Sequence, residues 1–109
     1  MTPHTRVVLA AVLANHARGE ETYGSAVSTE RGMYPATVIP ILHRIEVLGW
    51  LTSRVESDDE WPGDRPRRRY YRPVPGYDAR IRDALAEADR RRPLPTLAPL
   101  PAKRRTNPG

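Results

Sequence analysis

Thr37-Val38-Ile39-Pro40-Ile41-Leu42-His43-Arg44-Ile45-Glu46-Val47-Leu48-Gly49-Trp50-Leu51 is the stretch on which the fold turns. Val38, Ile41, Leu42, Ile45 and Leu48 recur at spacings of three and four, which gathers them into one apolar stripe along a helix. The helix is predicted to start around Ala36-Thr37, with Thr37 able to cap it, and to run to Leu48 before Gly49 stops it. Pro40 is compatible with this helix in its first turn, where the missing N–H has no partner within the helix. Turning the stripe inward leaves Thr37, Pro40, His43, Arg44 and Val47 on or near the outer face.

Downstream, Trp50 to Glu56 alternates β-formers with polar residues and reads as a strand. Ser57 to Arg67 is rich in Asp, Pro and Gly and reads as a loop, and Arg68 to Arg72 as the returning strand, ended by Pro73-Val74-Pro75-Gly76. Successive strand residues face opposite sides, so Tyr70 and Tyr71 split between the core and the outside. Upstream, Met33-Tyr34-Pro35 is a turn, since the residue before a proline is pushed out of the helical region. Tyr23 to Arg31 reads as a short helix with Val27 inward, closed by Gly32, and Glu20-Glu21-Thr22 as a polar link. The apolar run Val7 to Ala14 belongs to a buried first helix that starts near Thr2-Pro3 and ends by Gly19. It is too short to span a bilayer, and Asn15-His16-Ala17-Arg18 stands where a signal peptide needs small residues.

Tyr77, Ile81, Ala84, Leu85 and Ala88 define a last amphipathic helix from about Tyr77 to Arg91. After Arg92 come five prolines in seventeen residues and no aromatics, a composition expected to stay extended or disordered. The expected fold class is therefore mainly α with a small β-hairpin: a winged helix-turn-helix over residues 1–76, a C-terminal dimerisation helix over 77–92 and a basic tail over 93–109. In that arrangement the third helix can lie in a DNA major groove about 12 Å wide while the hairpin tip reaches phosphates or the minor groove. The DNA-contact candidates are Thr37, Pro40, His43 and Arg44 on the helix and Arg65, Arg67 and Arg68 on the wing. Most have a plainer alternative: Thr37 as a cap, His43 as a solvated helix residue, Arg44 paired near Glu46 or with Asp residues of the wing, and the wing arginines paired with Asp58, Asp59, Glu60 and Asp64.

The net charge of +5 sits in one part of the 109-residue chain. Residues 1–56 balance five Arg against five Glu, so the surplus falls on the wing, the last helix and the tail that carries Lys103-Arg104-Arg105. Seventeen of the eighteen cations are arginine, whose planar fork of donors suits phosphate and guanine edges. With no Cys there is neither a disulfide nor a thiolate metal site, and a reducing, cytoplasmic location is expected. His4, His16 and His43 are scattered without metal-ligand spacing, no cofactor motif is present, and no paired-carboxylate or Ser-His-Asp arrangement points to an enzyme. A core without Phe is small, and the exposed stripe of the last helix suggests a homodimer using Val8, Tyr77, Ile81, Leu85 and Ala88. Trp50 is expected at the core edge. Trp61, among acids, is left open between covering the wing, filling a dimer cleft and stacking on a flat ligand.

Tyr23-Gly24, the segment Thr37 to Glu46, Gly49-Trp50-Leu51 and Arg67-Arg68-Arg69-Tyr70-Tyr71-Arg72 together resemble the PadR family of bacterial transcription regulators. The family opens its second helix with Tyr-Gly, carries a Gly-Thr-aliphatic-Tyr-Pro recognition helix and returns from the wing through Arg-Arg-Tyr-Tyr. The spacing agrees without a gap from Tyr23 to Leu51, and the resemblance covers roughly residues 5–90. It implies a dimeric repressor on a palindromic operator in double-stranded DNA, released in some members by a small-molecule effector at the dimer interface. Two residues depart from the pattern. Ala36 replaces the family's glycine, and Ile39 replaces a tyrosine that contacts phosphate, so Ile39 cannot make that hydrogen bond. A winged-helix module that binds proteins instead of DNA is the competing expectation.

Overall fold

Thr2 and Pro3 launch the first helix, α1 (Pro3–Ala17): the Thr2 hydroxyl accepts the Thr5 amide at 3.2 Å, and Pro3 occupies a first-turn position that needs no N–H. The structure, a computed structural model, describes residues 1–93. A two-residue strand, β1 (Thr22–Tyr23), leads directly into α2 (Gly24–Arg31), which ends on Gly32 at φ +65°. Left-handed backbone of this kind is accessible to glycine without a Cβ penalty. Then follow α3 (Pro35–Val47), β2 (Leu51–Val55), β3 (Arg69–Pro73) and α4 (Tyr77–Arg91). The fold is mainly helical with one small antiparallel sheet.

That sheet has three strands in the order β1-β3-β2, where the sequence predicted a two-stranded hairpin. Thr22 and Tyr23, expected in a polar link and at a helix start, instead pair with Tyr71 and Tyr70. Two residues have no periodicity to read; their strand exists because β3 offers a free edge beside them. On the other edge Leu51 pairs with Pro73 and Val55 with Arg69. The register puts Tyr71 into the core at 5% exposure and Tyr70 on the opposite face, as their adjacency required.

The core gathers Val8, Leu9 and Val12 of α1, Val27 of α2, Val38, Leu42 and Ile45 of α3, Leu51, Tyr71, and Ile81 of α4, with Trp50 and Leu85 packed at its margin. This corrects the expected dimer face in two places. Val8 and Ile81 are both 0% exposed within a single chain, so neither has surface left for a second copy. The apolar run in α1 is explained by its own chain, which covers it with α3, α4 and the sheet. Leu48 also departs from expectation: it caps α3 beyond the last turn and is 64% exposed.

Two polar contacts inside this shell join distant parts of the chain. The Asn15 amide donates to the Thr22 hydroxyl at 2.8 Å, fixing β1 against α1. Arg6, only 3% exposed, donates through Nη1 to the Asp89 carboxylate at 3.1 Å and to the Arg92 carbonyl at 2.6 Å. A guanidinium buried this far needs partners, and it finds them at the C-terminal end of α4, where carbonyls lack helical partners. No helix among the described residues is long and apolar enough to cross a membrane. The expected extended tail lies, from residue 94 on, outside the described residues.

Candidate nucleic-acid interface

α3 begins one residue earlier than its sequence suggests, and this changes two of its predicted roles. Tyr34 is the cap residue, and its carbonyl accepts the amides of Thr37 at 2.9 Å and Val38 at 3.1 Å. Thr37 is therefore not the cap; it is a half-buried first-turn residue. Pro40 lies inside the helix and not in its first turn. Its ring removes the N–H that the Ala36 carbonyl would otherwise meet. Ala36 and Pro40 are both exposed, so water reaches that carbonyl.

The inward stripe holds over four of its five residues: Val38, Ile41, Leu42 and Ile45 are each at most 5% exposed. Pro40, His43, Arg44 and Val47 accordingly face solvent, as predicted. Arg44 makes no ion pair among the described residues. The helix is tied to the sheet from below: the Ser53 hydroxyl donates to the Glu46 carboxylate at 2.5 Å and accepts from Arg69 Nη1 at 3.1 Å.

The wing is organised around one buried carboxylate. Glu56 is 4% exposed and accepts Arg65 through both terminal nitrogens, at 2.8 and 2.9 Å, plus the Arg68 amide at 2.8 Å. The Arg65 guanidinium first, and then the Arg68 backbone donor, hold the Glu56 carboxyl at about 2, well below the usual range. Arg67 donates to the Glu56 carbonyl at 3.0 Å, meets the Asp58 carboxylate and lies 4.3 Å above the centre of the Trp61 ring. The Trp61 indole N–H in turn donates to the Arg65 carbonyl. Within its own chain Trp61 thus packs on the wing.

These contacts separate the three predicted wing arginines. Arg65 is held in a two-point pair with a buried acid, the geometry in which a guanidinium is hardest to remove. It supports the loop, with both terminal nitrogens engaged by Glu56. Arg67 is engaged by Asp58 and Trp61, which leaves it at the surface but already partnered. Arg68 is different. Its guanidinium stacks 4.2 Å from the centre of the Tyr23 ring and has no carboxylate partner among the described residues. The mixed charge run is thus largely self-paired; half-buried Arg68 and exposed Arg69 are its arginines without a carboxylate partner among the described residues.

An aromatic–cation ladder carries this arrangement across the outer face of the sheet. Tyr23 and Tyr70, paired across β1 and β3, meet edge to face with centroids 5.5 Å apart. Arg54 lies over Tyr70 at 4.9 Å and donates to both Glu21 and Glu60. Arg54 first, then the Ser57 amide, hold Glu60 at about 2. Sequence reading passed over Arg54 and Glu56 because their partners lie in other elements, and nothing in local spacing marks them.

Between the wing and the helices lies a cleft of about 470 Å³, walled by Tyr23, Gly24, Ile39, Leu42, Tyr71 and the run from Arg65 to Arg69. It brings Ile39 and Leu42 of α3 and the wing arginines to one surface. Gly24 permits this approach: a Cβ there would stand 2.9 Å from Ile39 Cγ1. No protein-family model matches the chain, and no curated protein matches it either.

Proposed function

We propose that this chain is a sequence-specific DNA-binding transcriptional regulator of the winged helix-turn-helix type, working in the cytoplasm as a homodimeric repressor. The observation that carries the reading is the exposure of His43 and Arg44 on the outer face of α3, together with the cleft that sets Ile39 of the same helix against the wing arginines, Arg68 among them without a carboxylate partner among the described residues. A helix whose outer face is free of its own fold, flanked by a cation that no acid has claimed, suits a major groove with a phosphate strand beside it. The dimer would use the half-buried Tyr77, Leu85 and Ala88 of α4. Two recognition helices about 34 Å apart would then enter successive turns of a palindromic site.

Selection from a random pool of DNA duplexes tests this directly. Enrichment of two inverted half-sites supports the reading, and recovery of no preferred sequence opposes it. A protein-interaction role is the second reading, favoured by the internal pairing of Arg54, Arg65 and Arg67, which reduces the cation available to phosphates. A stable protein partner together with no duplex binding would favour it.

A further inference from the structure

The outer face of α3 is poor in hydrogen-bonding groups. Ala36, Pro40, His43 and Val47 succeed one another at spacings of four, three and four, which lines them up on the side opposite Val38, Ile41, Leu42 and Ile45. All four are exposed, and of these only His43 carries a polar side chain. Ile39 borders the line at 52% exposure, and Val47 stands at 72%. The solvent side of a surface helix is ordinarily polar. Here the first two turns of α3 offer no Asn, Gln, Arg or Lys, the side chains that pair with base edges through two hydrogen bonds.

A major groove presents donors, acceptors and one apolar group, the C5 methyl of thymine. Of these, only the methyl gains from contact with an isoleucine or proline side chain, because both surfaces leave water together. Charge favours the same partner. Arg44 lies on one flank of the apolar line and Arg68 across the cleft from Ile39, so cations stand where phosphates on either side of a groove would pass. Ile39 is also bounded on one side, since a Cβ at Gly24 would stand 2.9 Å from its Cγ1, and a side chain so restricted loses less freedom on binding.

We infer that Ile39 and Pro40 read thymine methyl groups, and that the partner is a DNA half-site presenting thymines to the first two turns of α3. This rests on the DNA-binding reading above and names its specificity.

The test uses the full chain and two random-sequence duplex pools, identical except that one contains deoxyuridine in place of thymidine. The thymidine pool should yield a thymine-bearing half-site, and the same duplex remade with deoxyuridine should bind about fourfold more weakly for each methyl lost. Ile39→Ala and Pro40→Ala should each reduce that discrimination. Pro40→Ala restores an amide to the helix, so it reports on contact without threatening the fold, and circular dichroism of both variants verifies their helix content. Equal binding to the two forms of the duplex overturns the inference while leaving DNA binding intact. So does discrimination that survives undiminished in both variants. Failure of both pools to enrich any sequence overturns the inference and the DNA-binding reading together.

Discussion

The Arg65 guanidinium meets the Glu56 carboxylate through two nitrogens, 2.8 and 2.9 Å from its oxygens, with Glu56 inside the protein and Arg65 at its edge. The wing is therefore built around a single acid, and its arginines differ in what holds their side chains. Arg65 is held by Glu56, Arg67 by Asp58 and Trp61, and Arg68 stacks on Tyr23 without a carboxylate partner among the described residues.

Acid should open the wing before it unfolds the helices. Glu56 and Glu60 are both held at about 2 in the folded chain against an ordinary value of 4.5. Because their folded values are depressed, their contribution is fully present above about pH 4.5 and is lost as pH falls toward 2. The Trp61 indole N–H resonance, which reports its bond to the Arg65 carbonyl, should broaden or shift across that window while α1 amides stay protected. An indole resonance unchanged down to pH 2 would contradict this assignment.

Arg65→Ala and Arg68→Ala should part company. Loss of Arg65 leaves Glu56 buried with an uncompensated charge, so the protein should melt earlier, and the loop should become mobile. Loss of the Arg68 side chain removes a cation that no carboxylate holds and gives up only its stacking on Tyr23, so the melting temperature should change little. On any duplex the chain binds, Arg68→Ala should weaken affinity evenly across sequences and lower the salt slope by about one. A salt slope that falls equally in both variants would show that Arg65 also reaches DNA.

How far the sequence could lead is visible in these same residues. α4 was legible to its last residue and α3 to within a residue or two, because buried stripes at helical spacing leave a periodic trace. Pro40 was misplaced by that small error: with Pro35 also present, the helix could begin a turn earlier than Pro40 alone suggested. The outward residues of α3 followed from the stripe, since what is not turned in is turned out. The wing did not follow. Its eleven-residue loop holds four acids and two arginines, with further arginines just after it, and which cation meets which acid depends on the path of the backbone. By its sequence Glu56 is the polar end of a strand, whereas in the fold the loop turns back over it and buries it.

Gly24 and Ile39 should behave as a coupled pair. Gly24→Ala places a methyl 2.9 Å from Ile39 Cγ1 and should cost about 1–3 kcal/mol by overpacking. In an Ile39→Ala background the same change should cost markedly less. A double-mutant cycle by urea denaturation measures the difference, and additive effects would mean that the two residues do not press on each other.

Ile81→Ala should destabilise the chain by about 2–5 kcal/mol, since a fully buried side chain leaves a cavity behind. The loss should be the same at low and high protein concentration, because Ile81 packs within its own chain. Leu85→Ala, at the margin of the core, is the informative contrast. If α4 joins two copies, its effect should grow on dilution, and sedimentation velocity of the variant should find more monomer.

The middle strand of the sheet is also the last to be made. β1 and β2 flank β3, so neither edge has a partner until residues 69–73 have left the ribosome, some fifty residues after β1. Until then α1, α2 and α3 can associate through local contacts, but the pairing of Thr22 with Tyr71, and with it the Tyr23–Tyr70 contact, must wait. During synthesis the helices would form an early core on which the chain later closes its sheet. A nascent chain paused before residue 69 should therefore be helical, with the two edges of its future sheet still unmatched.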